Sequence, residues 1–146
     1  MKDKSHRNTI LVEEAKILSN EKFPGDQYVM RVDAPGCASK CQPGQFVHLT
    51  VDPKLLMRRP MSIMRASKEF GWVDFLYKAI GEGTKMLSQR HIGETINIMG
   101  PIGKPFTVKE KRPLLIGGGV GMPPMIAIAE SLKKNSSKPF IILGSE

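Results

Sequence analysis

The sequence predicts a β plus α/β protein: a six-stranded antiparallel barrel followed by the βαβ start of a parallel α/β domain. The first hundred residues hold six strand-like runs, of which the last four are apolar, rich in β-branched or aromatic residues and bounded by Gly, Pro or Asp. After residue 108 a charged segment leads to a buried-type strand, a helix-spaced segment and a second buried strand. We therefore predict a barrel domain at residues 1–108 and an incomplete α/β domain at residues 109–146.

The elements follow one another at regular intervals. The predicted barrel strands are NTILVEEAKILS (8–19), QYVMRVDA (27–34), FVHLTVD (46–52), PMSIMRAS (60–67), GWVDFLYKAI (71–80) and ETINIMG (94–100). A loop is expected at PGCASKCQPGQ (35–45), and one short helix at GTKMLSQRH (83–91). The α/β part is PLLIGGG (113–119), a helix in VGMPPMIAIAESLKK (120–134) and KPFIILGSE (138–146). Two strands and one helix leave a face of a parallel sheet uncovered, so we expect further residues or another chain to cover it.

Charge and hydropathy narrow the class of protein. Lys and Arg number 22 against 14 Asp and Glu, a net charge of +8, which favours anionic partners. The basic residues are scattered and no aromatic-interleaved basic stripe occurs, so nucleic acid is not expected as the main partner. No apolar run is long enough to span a membrane, and the N-terminal MKDKSHRNTI has no apolar core behind its charges. We expect a cytoplasmic protein without a membrane partner.

The two cysteines, Cys37 and Cys41, lie four residues apart in GCASKCQPG. A metal or cluster site would need two further soft ligands, and His6, His48 and His91 show no ligand-like spacing. A disulfide across this turn is the alternative, which a reducing compartment disfavours. The sequence therefore predicts two small loop or core residues and no metal site.

The segment LLIGGGVGMPPM (114–125) is the first candidate binding motif. It reads G-x-G-x-x-P between a strand and a helix, where the dinucleotide fingerprint has G-x-G-x-x-G. A proline in the first helical turn is tolerated, and the free N–H groups of Gly121 and Met122 would suit a pyrophosphate. The alternative is a tight strand–helix turn without a ligand. Only Glu146, at the chain's end, could act as an acidic ribose partner.

Two further motifs come earlier in the chain. In LMRRPMSIMRAS (56–67) either Arg58 or Arg59 can pair with a phosphate, and Ser62 can donate to a ring heteroatom. In LYKAIGEGTKMLSQ (76–89) Thr84 caps a short helix whose first N–H groups form an anion site, with two glycines freeing the backbone. The alternatives are solvated arginines on an edge strand and an ordinary capped helix.

The order of five motifs is more specific than any one of them. PGQFVHL, RRPMSI, GEGTKMLS, MGPIGKPF and LLIGGGVGMPPM resemble consecutive landmarks of the ferredoxin–NADP reductase superfamily. Within it the chain is most similar to the electron-transfer subunits of class B dihydroorotate dehydrogenase, from about Ile10 onward. The resemblance implies an FAD-binding barrel followed by the start of an NAD(P)-binding domain.

The resemblance also implies roles for individual residues. Arg59 would bind the FAD pyrophosphate, and Pro60, Met61 and Ser62 would line the isoalloxazine, with Ser62 as the catalytic candidate near its reactive nitrogen. Tyr77, Lys78 and Ile80 would flank the ribityl and adenosine portion, and Gly83 and Thr84 would contact the diphosphate. Gly118, Gly119, Gly121 and Pro123 would form the floor of the nicotinamide-nucleotide site. Many reductases of the superfamily have Tyr where this chain has Met61.

In function, the resemblance implies a flavoprotein subunit that moves electrons between NAD(P)H and a partner protein. The implied partner is the dihydroorotate dehydrogenase catalytic subunit, and the implied pathway is pyrimidine biosynthesis. The family also has a [2Fe–2S] cluster, whose four cysteines this sequence does not contain, so we assign no metal. One alternative is a related reductase subunit for a hydrogenase or a ferredoxin. Another is a non-catalytic flavin-binding module. The electron acceptor and the choice between NADH and NADPH stay open.

Overall fold

Six antiparallel strands close into a barrel in the computed structural model, which describes residues 10–144. They are β1 (Leu11–Phe23), β2 (Gln27–Asp33), β3 (Phe46–Thr50), β4 (Arg59–Ser67), β5 (Trp72–Lys78) and β6 (Thr95–Ile102). Around the barrel they lie in the order β1-β2-β5-β4-β3-β6. The predicted six-stranded barrel is thus confirmed.

Strand β1 closes the barrel because it pairs with two neighbours. Its first half pairs with β6, from Leu11 opposite Gly100 to Lys16 opposite Thr95. Its second half pairs with β2 as far as Phe23 opposite Gln27, after a bulge between Ile17 and Ser19. The bulge bends the strand so that one segment can serve both neighbours. The strand therefore runs four residues beyond the predicted end.

The barrel interior is filled by the inward-facing side chains of every strand. Period-two alternation sends these side chains inward and polar ones outward. The largest fully buried strand side chains are Tyr77, Phe75, Ile17, Met30, Leu49, Ile96 and Ile98, and Leu87, from the helix after β5, is buried with them. At about 25 cal/mol per Å² of apolar area removed from water, this core is the main stabilising term of the barrel.

Two short helices lie against the barrel. Helix α1 (Pro35–Lys40) occupies a segment where the sequence predicted a loop, and that prediction is wrong. The helix forms because Cys37 and Ala38 are buried in the core and the carboxylate of Glu13 accepts the N–H groups of Gly36 and Cys37, at 3.1 and 2.6 Å. Helix α2 (Glu82–Ser88) was predicted, and it ends three residues earlier than expected.

A smaller βαβ unit follows the barrel. Strand β7 (Leu114–Gly118), a single 3₁₀ turn (Gly119–Gly121), helix α3 (Met122–Lys134) and strand β8 (Phe140–Gly144) form a parallel two-stranded sheet with one helix. The predicted strand–helix–strand order is confirmed. A small core lies between sheet and helix, made of Leu115, Ile128, Ala129 and Leu132. The opposite face remains exposed at Leu114, Ile116, Phe140 and Ile142. The boundary at residues 108 and 109 stays a prediction.

Helix α3 packs on the outer side of β4 and joins the two units. Across this contact Arg65 Nε donates to Glu130 Oε1 at 2.6 Å, with both side chains about half exposed. Because α3 is held against the barrel, the turn that precedes it, Gly119–Gly121, is also held near the barrel; we call it the glycine turn. No helix within residues 10–144 combines the length and apolar character that crossing a membrane requires. The N-terminal residues considered for a leader, 1–9, lie outside the described part, as does Glu146.

Both cysteines are free thiols on or beside α1. Cys37 is buried in the barrel core and Cys41 is half-buried. Burial raises the pKa of Cys37 to about 12, with smaller contributions from Cys41 and Glu13. Among residues 10–144 no group of three or more His, Cys, Asp or Glu side chains could hold a metal ion.

Candidate functional site

The guanidinium of Arg59 lies against the backbone of Gly83, at the first turn of α2. A Cβ placed on Gly83 would collide with Arg59 Nε and would lie 3.1 Å from its Cζ and 3.2 Å from its Cδ. Gly83 itself is buried. Only a residue without a side chain lets the guanidinium lie this close to the start of the helix.

The two adjacent arginines have different partners. Arg58 is held along the barrel wall, where Nη2 donates to Asn97 Oδ1 at 2.5 Å and Nη1 to the carbonyl of His48 at 3.3 Å. Asn97 in turn donates to Glu14 Oε1 at 2.6 Å. Within the described residues, 10–144, Arg59 makes one hydrogen bond, from Nη1 to the carbonyl of Met57 at 2.9 Å. The sequence left both arginines as candidates for a phosphate, and the geometry favours Arg59.

The first turn of α2 presents unused backbone donors. Its first helical hydrogen bond runs from the N–H of Lys85 to the carbonyl of Gly81, at 2.9 Å. The N–H groups of Glu82, Gly83 and Thr84 therefore have no acceptor within the helix. The Thr84 hydroxyl is occupied locally, since it accepts from the N–H groups of Ile80 and Gly81, both at 3.1 Å. Thr84 thus shapes the turn rather than presenting its hydroxyl outward.

Helix α2 is fixed to the barrel at its other end. Leu87 is buried in the barrel core. Asn20 donates to the carbonyls of Leu87 and Arg90, both at 3.1 Å, and accepts a hydrogen bond of 2.9 Å from the Tyr77 hydroxyl. These bonds tie the C-terminal end of α2 to β1 and β5, so the helix that carries Gly83 is anchored to the barrel.

The residues after Arg59 alternate between the two faces of β4. Met61 pairs with Val47 of β3 and its side chain belongs to the barrel core. Pro60 is exposed and Ser62 is half-buried, so these two lie on the outer surface. Of the three residues that the resemblance places at an isoalloxazine, Pro60 and Ser62 face outward and Met61 faces inward.

Strand β5 divides its predicted residues in the same way. Tyr77 is buried in the barrel, its ring stacks on Tyr28 with centroids 5.4 Å apart, and burial raises its pKa. Lys78 lies half-buried on the outer face, and Ile80 is exposed just beyond the strand. The Tyr77 side chain therefore supports the wall from inside, while Lys78 and Ile80 lie on the outer side of the barrel.

A cleft of about 630 Å³ lies between the barrel and the βαβ unit. Its lining is Gln27, Lys78, Ile80, Gly118, Gly119, Val120 and Gly144. It brings Lys78 and Ile80, from one end of β5, opposite the glycine turn that follows β7. Two groups of predicted site residues, about forty positions apart in sequence, thus share one cleft.

The glycine turn itself has two parts. Gly118 continues β7 in extended conformation, and Gly119 takes φ of +51°, in the region that favours glycine. Pro123 is buried within the first turn of α3 and Gly121 is exposed before it, and neither lines the cleft. The structure therefore brings Gly118 and Gly119 to the cleft, with Gly121 and Pro123 behind them.

The sequence did not indicate three of the cleft residues, Gln27, Val120 and Gly144. Gln27 is nearly buried and pairs directly with Lys78 across β2 and β5. That pairing depends on the barrel order, which no local motif encodes. Val120 lies inside the glycine motif, where its exposed side chain was the available signal.

The residues present fit a dinucleotide with a pyrophosphate. The Arg59 guanidinium lies beside the start of α2, where three N–H groups have no acceptor within the helix, and this combination suits a doubly charged anion. Arg65, the other arginine of β4, has an acidic partner in Glu130, whereas no acidic partner to Arg59 occurs within residues 10–144. We call Arg59 and the first turn of α2, Glu82 to Thr84, the pyrophosphate cradle. The cradle has the charge and the open backbone that a bound phosphate group requires.

Comparison with known proteins gives the same class of site. Residues 12–106 match the model of a family described as the oxidoreductase FAD-binding domain. The chain is 33% identical over 139 residues to the electron transfer subunit of dihydroorotate dehydrogenase B (NAD(+)) of Fusobacterium nucleatum, covering 91% of this chain and 54% of that protein. It is 34% identical over 134 residues to the subunit of the same name from Shouchella clausii, covering 88% and 52%.

The chain spans about half the length of these curated relatives. Among solved structures, it is similar to NADH-dependent reduced ferredoxin-NADP oxidoreductase, described in connection with flavin-based electron bifurcation. That likeness has a TM-score of 0.85 at 29% identity, over 90% of this chain and 48% of the other. The matched region includes both the barrel and the start of the βαβ unit.

Proposed function

The chain belongs to the oxidoreductase FAD-binding domain family of the ferredoxin–NADP reductase superfamily, and from this premise we propose that it is the flavin-binding part of an electron-transfer subunit. It would move electrons between NAD(H) and a partner dehydrogenase by way of bound FAD. The observation that carries this proposal is the Arg59 guanidinium lying against Gly83, in the first turn of α2, whose N–H groups have no acceptor within the helix.

Arg59 and the first turn of α2 would bind the pyrophosphate of FAD. A guanidinium donates two parallel N–H groups to phosphate oxygens, and the backbone N–H groups of Gly83 and Thr84 supply further donors. Gly83 acts by lacking a side chain, which leaves the phosphate and the guanidinium room to meet. Thr84 acts by holding the turn in shape through its bonds to Ile80 and Gly81.

Pro60, Ser62 and Lys78 would bind the riboflavin end. The outer-face hydroxyl of Ser62 would donate to a ring nitrogen, and Pro60 would hold the strand entrance rigid. Met61 and Tyr77 would shape the site from inside the barrel. When bound, the flavin accepts a hydride from a nicotinamide and releases electrons one at a time. These side chains position the ring and exclude water from one of its faces.

The glycine turn would form one side of the nicotinamide site. Gly118 and Gly119 face Lys78 and Ile80 across the cleft, and a glycine backbone allows a flat ring to approach closely. Gly121 and Pro123 would hold this turn by starting α3 immediately behind it. The choice between NADH and NADPH is not part of the proposal.

We propose the dihydroorotate dehydrogenase catalytic subunit as the partner, and pyrimidine biosynthesis as the setting. Support comes from the relatives' names, which describe electron transfer subunits of that enzyme. We also propose a cytoplasmic location, since both cysteines are free thiols, as in a reducing compartment. We assign no cluster to this chain, whose two cysteines lie on or beside α1 in the barrel half.

A second candidate is a reductase subunit serving another acceptor, such as a ferredoxin. The observation that favours it is the structural likeness to an NADH-dependent ferredoxin-NADP oxidoreductase, at a TM-score of 0.85. The two candidates share the same flavin site and differ in the electron acceptor.

Reconstitution with FAD followed by anaerobic NADH tests the proposed function. We expect the purified chain to retain FAD through gel filtration, and NADH to bleach the flavin absorbance. A chain that takes up no FAD would contradict the proposal. Retention of FAD without bleaching would favour a non-catalytic flavin-binding module. Re-oxidation by the dihydroorotate dehydrogenase catalytic subunit, compared with re-oxidation by ferredoxin, separates the two acceptors.

A further inference from the structure

We propose that Leu56 and Met57, in the loop between β3 and β4, bind the adenosine end of FAD and make the site select FAD over FMN. This inference rests on the proposed function. It adds a second contact region beyond the pyrophosphate cradle, in a segment where the sequence pointed only to the arginines that follow.

The loop is held in place at both ends. Asp52 begins it, because its Oδ1 accepts from the N–H of Lys54 at 2.8 Å and its carbonyl accepts from the N–H of Leu55 at 3.1 Å. Leu55 packs against the barrel core. At the other end Arg58 is bonded to the barrel wall at Asn97. The two residues between Leu55 and Arg58 are therefore fixed on both sides.

Those two residues are large and apolar, and they face solvent. The exposed fraction is 103% for Leu56 and 72% for Met57. Single exposed apolar residues are ordinary on protein surfaces. Two adjacent ones on an anchored loop beside an anion cradle form a surface suited to a flat apolar ring.

The loop lies directly beside the pyrophosphate cradle. Arg59 Nη1 donates to the carbonyl of Met57 at 2.9 Å, so the guanidinium that meets the phosphate also touches this loop. FAD extends in two directions from its pyrophosphate. In the proposed function the riboflavin end lies toward Ser62 and Lys78, and Lys78 also lines the cleft. The adenosine must leave on another side, and the Met57 side is the one that Arg59 joins to the cradle.

The chemistry of adenosine suits these side chains. Adenine offers two flat apolar faces, which pack against a branched aliphatic side chain and against the polarizable sulfur of methionine. FMN ends at its single phosphate and lacks this ring. A contact made only with adenosine would therefore strengthen FAD binding and leave FMN binding unchanged.

Ile80 is the alternative exposed apolar residue that could pack against the adenine ring. It is 68% exposed and follows β5, but it lines the cleft opposite Gly118 and Gly119. That position places it on the riboflavin side of the cradle. Replacement of Ile80 should therefore weaken the binding of FAD and the binding of FMN to a similar degree.

The inference is tested by the dissociation constants for FAD and FMN, which quenching of flavin fluorescence measures. The double variant Leu56→Ser/Met57→Ser should raise the dissociation constant for FAD about tenfold, roughly 1.4 kcal/mol in binding free energy. It should change the dissociation constant for FMN by less than about twofold. Ile80→Ser is the rival variant. Phe70→Ser is the matched control, equally exposed at 71% and at the far end of β4, and should change neither constant.

Each outcome has a distinct meaning. A shift in the FAD to FMN ratio in the double variant alone supports the inference. An unchanged ratio there, or a ratio shifted by Ile80→Ser instead, overturns it while the proposed function stands. A wild-type chain that binds neither flavin contradicts the proposed function, and the inference falls with it. Thermal unfolding of each variant identifies any loss that comes from the fold, and the single variants Leu56→Ser and Met57→Ser then replace the double one.

Discussion

Arg59 and Gly83 are in direct contact, although they lie on β4 and α2, more than twenty residues apart. The guanidinium occupies the space that any side chain at residue 83 would need. The contact joins the one cation of the proposed pyrophosphate site to the helix turn that supplies its N–H donors. It therefore gives both residues a role that can be measured separately from the stability of the barrel.

Gly83→Ala should weaken FAD binding with little loss of stability. The new Cβ would displace Arg59 Nε and Cζ, which belong to a flexible side chain and can move, while alanine favours the helix by about 1 kcal/mol over glycine. We expect the dissociation constant for FAD to rise about tenfold. Gly81→Ala is the matched control, since a Cβ there meets no atom within 4 Å. Equal effects of the two variants on FAD binding would argue against the cradle.

Asp74→Ala should destabilise the barrel. The Asp74 carboxylate is buried and accepts two hydrogen bonds from Arg31, at 2.7 and 2.8 Å, and the guanidinium lies 3.7 Å from the centroid of the Trp72 ring. Because Arg31 is partly exposed, we expect a loss of about 2 kcal/mol, less than for a fully buried pair. Lys22→Gln, which breaks a solvent-exposed pair, should leave stability essentially unchanged. Urea unfolding measures both, and similar losses would contradict the assignment.

Stability should fall at alkaline pH, partly through Cys37. Burial raises the pKa of its thiol from 9.0 to about 12, so the folded state holds the proton that the unfolded state loses. The contribution is fully present below pH 9 and is lost as pH rises from 9 toward 12, by up to about 1.4 kcal/mol per pH unit. Cys37→Ala removes this loss. Urea unfolding at pH 7 and pH 10.5 should show the wild-type advantage over the variant shrinking at the higher pH. An advantage independent of pH would contradict this.

Gly118→Val should slow the reduction of bound flavin by NADH without weakening FAD binding. Gly118 has extended backbone angles and nothing within 4 Å of an added Cβ, so valine fits the strand and narrows the cleft. We expect an anaerobic NADH reduction rate about tenfold lower, with the dissociation constant for FAD unchanged. Reduction by dithionite, which does not use the cleft, is the control. A variant that reacts with NADH as the wild type does would place the nicotinamide elsewhere.

The strands could be predicted because their signals are local. The last four of the six predicted runs are bounded by Gly, Pro or Asp, and the structure has a strand in each of the six. Helix α1 could not be predicted, since Glu13, which satisfies its first N–H groups, lies more than twenty residues earlier on β1. With Pro35 and Gly36 at its start, the segment has the composition of a turn.

The candidate site could be predicted as a set of motifs but not as a geometry. The motif alone left Arg58 and Arg59 open and the resemblance chose Arg59, but only the barrel shows that Asn97 holds Arg58. It also grouped Met61 with Ser62, although strand alternation sends their side chains to opposite faces. Motifs name residue types, whereas side-chain direction depends on pairing with distant strands.

The affinity for FAD of Arg59→Ala, compared with Arg58→Ala, tests the central claim most directly. Arg59→Ala should raise the dissociation constant about thirtyfold, because it removes charge-assisted hydrogen bonds worth roughly 2 kcal/mol. Arg58→Ala should change it by less than about threefold, since that guanidinium is bonded to Asn97 and His48 on the barrel wall. Isothermal titration with FAD gives both values. An Arg59→Ala chain that binds FAD as tightly as the wild type, or more tightly than the Arg58→Ala chain, would contradict the proposed site.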